Sequence, residues 1–163
     1  MHEEYQRLLD DCNDELTKIK AWIVEHPLDS NVVFLTRYAI IKTSGTIEYI
    51  LKQMLYDYLS EGVIDDTKNY LSKYVLQNSG NPNFNFIKKS IEHFNGTMAS
   101  DFENKLKQYK GALNRLVEAR NKFAHVGTID IQGMFQIVED GFHAGSAVLE
   151  GVFELLFHME TDE

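Results

Sequence analysis

The sequence predicts an all-α fold, a single helical bundle over residues 1–163 with long second, fifth and C-terminal helices. Apolar residues recur at three- and four-residue intervals along the whole chain, period-two alternation is absent, and only Pro27 and Pro82 interrupt it. A chain of 163 residues that is 44% hydrophobic and 25% charged has the size and balance of one globular domain with its own core.

The first helix is expected over Glu3–Glu25, with Leu8, Leu9, Leu16, Ile19, Trp22 and Ile23 on one side and a stop at His26-Pro27. Asp29 or Ser30 can cap the second, about Asn31 to Leu59, which Gly62 follows. A third starts at Asp65 or Asp66 and reaches about Leu76. The run Gln77–Asn83 is the clearest loop, too short to divide domains. A brief fourth helix covers about Phe84 to Phe94 and stops at Asn95-Gly96, and Ser100 with Glu103 reads as a capping box opening a fifth helix toward His125. Val126-Gly127-Thr128 breaks that helix, and a last one over about Ile131 to His158 carries enough apolar surface to complete the bundle.

Composition narrows the function. The net charge of −9 argues against unspecific coating of nucleic acid, which draws on clustered Lys and Arg. One segment departs from that average: Met98 to Gly127 holds six basic residues against three acidic ones, a net of +3, while the remainder carries −12. It is the plausible anion-facing surface. Cys12 is the single cysteine, so no disulfide framework exists and a reducing, cytoplasmic setting is expected. Met1-His2-Glu3-Glu4 lacks the features of a signal peptide. The most apolar stretch, Ala147 to Phe157, is too short to span a bilayer, so no membrane partner is expected. There is no Gly-rich phosphate loop and no metal-ligand spacing: His2, His26, His93, His143 and His158 read as structural or surface residues, and Asp10, Asp11, Asp65 and Asp66 as a solvated surface. No cofactor is expected.

The residues that break the apolar pattern carry the chemistry. In the fifth helix Arg120 falls within the stripe of Leu113, Leu116, Val117, Phe123 and Ala124, which aims a guanidinium inward. Arg cannot shed its proton, so either a carboxylate or a bound phosphate must meet it. In the second helix Arg37, Ile41, Ser44, Glu48, Leu51 and Leu55 share one face, which puts Glu48 among core positions. Glu48 is therefore expected opposite Arg120, with Ser44 one turn away able to add a hydrogen bond. A structural ion pair explains the same pattern without catalysis. Asn121 and His125 stand i to i+4, whereas Arg120 and His125 are about 140° apart around the helix, so the arginine must reach round or the helix must loosen. A histidine near a helix C-terminus also has a plain role in complementing the dipole.

The stretch Glu118-Ala119-Arg120-Asn121-Lys122-Phe123-Ala124-His125 resembles the signature of the HEPN superfamily: Arg, a polar residue that is often Asn, three more residues, then His near a helix end. The likeness extends loosely over the long preceding helices, where Arg37, Ser44 and Glu48 look like the polar positions of the corresponding early helix. It is closest to the RiboL-PSP and related stand-alone prokaryotic groups, in which a small residue such as Gly127 follows the His closely.

The resemblance implies a HEPN-like bundle and metal-independent endoribonuclease activity at a composite site in a homodimer, usually in antiviral defence or toxin systems, where a regulatory protein from the same operon can be a partner. Arg120 would grip the scissile phosphate, His125 would act as general base or acid for attack of the ribose 2′-hydroxyl, and Asn121 would orient. Lys122, Arg115 and Lys110 would add contacts to the RNA backbone. The toxin branch that pairs with nucleotidyltransferase antitoxins has a Tyr two residues after the His. Gly127 stands there, so modification at that position is not expected. Two alternatives stay open: a non-catalytic HEPN module that binds nucleotide, RNA or a protein, and a helical interaction protein with a structurally buried Arg120.

Overall fold

The computed structural model describes residues 1–77, 80–126 and 134–157, and for 124–126 the backbone alone. Among the described residues the secondary structure is wholly helical. Helix α1 spans Glu3–Glu25 and α2 Asn31–Ser60. Then come α3, Asp65–Leu71, extended by a π-helical turn over Ser72–Leu76, and α4, Phe84–Glu92. A run of α5 (Gly96–Leu106), a 3-10 turn (Lys107–Tyr109) and α6 (Lys110–Val126) precedes α7, Met134–Phe157. None of these helices is long and apolar enough to cross a membrane.

The buried stripe of α1 is Tyr5, Leu9, Cys12, Leu16 and Ile19, spaced by threes and fours, so Leu8, Trp22 and Ile23 flank the stripe instead of forming it. The helix stops where predicted: His26 N–H bonds Trp22 O, and Pro27 cannot prolong the ladder. Asp29 supplies the start of α2, its Oδ1 accepting from Asn31 N–H at 2.7 Å, while the Ser30 side chain makes no capping bond.

Helix α2 is the axis of the bundle. It packs against α1, α6 and α7 and also carries α3. Ile40, Ile47, Ile50, Leu51 and Met54 are fully buried on it, whereas Ile41, expected on the interior face, is 55% exposed. A helix touched on several sides buries more than one stripe, so a single-face reading misplaces positions at the border between two contacts.

The predicted fifth helix begins earlier than its apparent capping box. Asn95 is the N-cap, its Oδ1 accepting from Met98 N–H at 3.0 Å. Ser100 lies inside α5 with its hydroxyl on Gly96 O, and Glu103 is taken by Lys88 in an ion pair of 2.5 Å. The chain stays helical to Val126, with the 3-10 turn between α5 and α6.

Helix α7 closes the core with Val148, Leu149 and Val152 fully buried, and two glycines let it come close to its neighbours. A Cβ on Gly141 would stand 2.6 Å from Leu116 Cβ of α6, and one on Gly145 would stand 2.2 Å from Ile47 Cδ1 of α2. The first contact holds the helix that carries Arg120 at its working distance.

Two outcomes follow. Gly141→Ala should destabilise the fold by about 1–3 kcal/mol, since Leu116 Cβ cannot withdraw without moving α6. Gly45→Ala, whose methyl group meets open space on α2, should stabilise by about 0.5–1 kcal/mol. Urea unfolding measures both, and equal effects would contradict the close approach. The Tyr5 hydroxyl donates to the Asp57 carboxylate, joining the start of α1 to the end of α2. Burial, with that carboxylate beside it, raises the phenol well above its ordinary pKa of about 10. Its stabilising contribution is therefore complete below about pH 10 and is lost as the pH rises further. The unfolding free energy of the wild type should fall more steeply between about pH 9 and 11.5 than that of Tyr5→Phe.

Candidate functional site

The loop that ends the π-helical turn brings three elements to one place. Gly80 N–H donates to Glu48 Oε1 of α2 at 3.2 Å, Arg120 Nη1 of α6 donates to Asn81 Oδ1 at 2.5 Å, and Phe84 N–H donates to Asn114 Oδ1 of α6 at 3.1 Å. Glycine at position 80 lets the Phe86 ring lie against the loop, because a Cβ there would lie 2.4 Å from Cζ of Phe86 and would require the ring to move. Asn83 caps α4, accepting from Phe86 N–H.

Glu48 lies at the centre. Its Oε2 is 3.6 Å from Arg120 Nη2 and its Oε1 is 2.6 Å from Lys52 Nζ, one turn further along α2. Glu48 and Lys52 are largely buried, while Arg120 keeps 34% of its side chain exposed. Two cations thus share one carboxylate, and the cluster has an excess of one positive charge. In a half-buried setting that excess favours an anion from solution. The guanidinium is held from both terminal nitrogens, by Asn81 and by Glu48, which fixes its plane and leaves further N–H donors of its five.

The other candidate residues are arranged around this cluster with differing closeness. Ser44 is fully buried on α2, and its hydroxyl has no hydrogen-bond partner among the described residues, so it adds no bond to Arg120 or Glu48. Arg37, three turns before Glu48, stacks its guanidinium over the Phe123 ring of α6 at 5.2 Å from the centroid. That places a second arginine beside the end of α6 where His125 lies. Asn121 is half-buried. The backbone of His125 belongs to α6, while its side chain, with Gly127 and the rest of 127–133, lies outside the described residues.

The remaining basic residues do not gather at the cluster. Arg115 turns toward α7, 3.6 Å from Asp140. Lys110 stands over Phe84 at the opposite end of α6, and Lys122 is exposed on the side of the helix away from Arg120. The basic residues of α6 are therefore distributed round the helix and do not form a single patch. Among the described residues no group of three His, Cys, Asp or Glu side chains converges as a metal site would require.

The pattern reading did not single out Lys52, Gly80 or Asn81. Lys52 had a signal, since Glu48 and Lys52 stand i to i+4 with the acid first. Nothing in the loop sequence marks Asn81 as a partner of a residue 39 positions away.

The model of the RiboL-PSP-HEPN family matches residues 3–145, from the start of α1 into α7 and across the whole Arg120 to His125 stretch. The chain belongs to the RiboL-PSP-HEPN family. No curated protein and no solved structure shows a significant match. Membership of this HEPN family supports a ribonuclease-type function in general terms, and the all-helical bundle is the fold the resemblance implied.

The shared carboxylate makes a measurable claim. Glu48→Ala removes the partner of two cations and of a loop N–H at once, and should cost about 1–3 kcal/mol. A cycle with Arg120→Ala should return a coupling energy of at least about 0.5 kcal/mol in urea unfolding. Additive losses would mean that the two side chains do not interact.

Proposed function

We propose that this RiboL-PSP-HEPN protein is a metal-independent endoribonuclease whose reacting groups are Arg120 and His125. The observation that carries the reading is the excess positive charge of the cluster that Glu48 and Lys52 of α2 form with Arg120, which projects from the helix that ends in the Arg-x4-His motif. A phosphodiester supplies the missing negative charge, and the planar guanidinium suits its oxygens. Glu48 and Asn81 hold Arg120 in place, and Asn121 orients the substrate or the imidazole.

In the proposed step the His125 imidazole takes the proton of a ribose 2′-hydroxyl as its oxygen attacks the adjacent phosphorus. The bond from phosphorus to the 5′-oxygen breaks, and the leaving oxygen takes up a proton. A 2′,3′-cyclic phosphate and a 5′-hydroxyl end result. Arg120 stabilises charge that grows on the non-bridging oxygens. Lys110, Arg115 and Lys122, away from the cluster, would serve only as outlying contacts to the RNA backbone.

The composite site requires a homodimer. Supporting it, Phe34, Tyr38, Ile41, Gly45 and Tyr49 recur by threes and fours as exposed positions on α2, next to Arg37. In an isologous pair this stripe would meet its own copy, and two positively charged clusters would face one cleft. A cytoplasmic role in antiviral defence or a toxin-type system, with a regulatory partner, completes the reading. The second reading, a module that binds nucleotide or RNA without cutting it, draws on one observation: Asn81 already occupies a donor of Arg120.

Incubation of the purified protein with mixed RNA, with and without a chelator, tests the proposal. Cleavage should persist in chelator, leave 2′,3′-cyclic ends, and fall by at least about 10²-fold in Arg120→Ala and in His125→Ala. Ile41→Glu should reduce both dimer content and cleavage. Activity that survives His125→Ala or disappears with chelator would overturn the mechanism, and RNA binding without cutting would favour the second reading.

A further inference from the structure

The π-helical turn after α3 leaves a space beneath it that the core does not fill. Residues 65–76 carry Tyr70, Leu71, Tyr74, Val75 and Leu76, yet none of the twelve is buried. The segment is held over α2 and α4 with a cavity of about 570 Å³ below it. Buried Leu51 and Leu55 form the floor, and Leu71, Val75, Phe86 and Phe94 form the walls. An amphipathic segment that leaves its apolar face over open space forgoes the burial that normally holds such a helix.

The rim of the cavity differs from its floor. Tyr70 and Tyr74 stack on each other with ring centroids 4.3 Å apart, and each stays more than half exposed. The five-residue hydrogen bond from Gln77 N–H to Ser72 O widens the turn that bears Tyr74, and such π turns recur at functional sites. Ser90, His93 and Lys52 complete the rim. Lys52 is also the second cation on Glu48, so the cavity and the Arg120 cluster share a wall. Its bond to Glu48 uses one of three ammonium donors.

We infer that this cavity receives a single unpaired RNA base next to the phosphate held at Arg120, and so sets base preference. The inference rests on the nuclease reading for its substrate, although binding to the cavity can be measured without cleavage. Three features select a nucleotide. The volume lies in the range of about 300–1,000 Å³ that encloses small ligands. The stacked tyrosines and Phe86 offer π faces of the kind on which unstacked bases settle. The polar rim leads directly to a cluster with one uncompensated positive charge, where the phosphate of the same nucleotide would lie. A purely apolar ligand would make no use of Lys52, whose ammonium keeps two donors beyond its bond to Glu48.

Ligand-observed NMR titrations with adenosine monophosphate, uridine monophosphate and inorganic phosphate test it. At least one nucleotide should bind about tenfold more tightly than inorganic phosphate. Val75→Phe, which fills the cavity, and Tyr74→Ala, on the exposed rim, should each weaken that nucleotide by about five- to tenfold and leave inorganic phosphate unchanged. Circular dichroism would confirm that both variants fold. Equal affinity for nucleotide and phosphate, or nucleotide binding indifferent to both variants, would overturn the inference. Tyr74-dependent nucleotide binding in a protein that cuts no RNA would uphold the cavity and overturn the nuclease reading. RNA cleavage whose base preference is unmoved by Val75→Phe would do the reverse.

Discussion

The architecture around the site depends on one carboxylate shared by two cations. Glu48 cannot be buried without compensation, and Lys52 and Arg120 supply more positive charge than it needs. The same carboxylate receives the Gly80 N–H, so it also holds the loop that delivers Asn81 to the guanidinium. Removing the acid would strand a half-buried arginine, a lysine and a loop amide together. The ion pair thus has a structural role, and its surplus charge gives the arginine a second one toward a ligand.

That arrangement needs α6 held firmly against α2 and α7. The close approach at Gly141 and Gly145 lets α7 lie against Leu116 and Ile47, and the fully buried Leu113 and Leu116 lock α6 on its inner side. Arg120 then projects from a rigid helix into a space bounded by a loop and not by core, which explains why it is only partly exposed. Along α2 the Glu48 position faces Arg120 while Arg37 faces Phe123, so the two helices run past each other in opposite senses and carry basic groups toward the end of the motif.

Much of the fold was legible because helical periodicity is a local property. The limits of α1, the start of α2 at Asn31, the start of α3 at Asp65 and the start of α4 at Phe84 agree with the pattern of apolar spacing and caps. Where local signals compete, the sequence pattern misplaces the boundary or the face. Ser100 and Glu103 have the spacing of a capping box, but Asn95 already caps the helix one turn earlier and Lys88 claims Glu103. Ile41 looked interior on a one-face wheel and is exposed, since α2 is contacted from several sides. The π-helical turn within 65–76 had no signature that distinguished it from ordinary helix.

By itself the sequence determined the all-helical class, the order of the helices and the Arg120, Asn121 and His125 motif, because each rests on residues within a few turns of one another. It also marked Glu48 and Arg120 as charges turned inward, since neither can occupy an apolar stripe unpaired. Only the tertiary structure decided that Lys52 shares Glu48, that Asn81 meets Arg120 across 39 residues, and that the basic residues of α6 spread round the helix. Those outcomes depend on how helices cross and where a loop is seated, and such long-range geometry leaves no periodic trace in the chain.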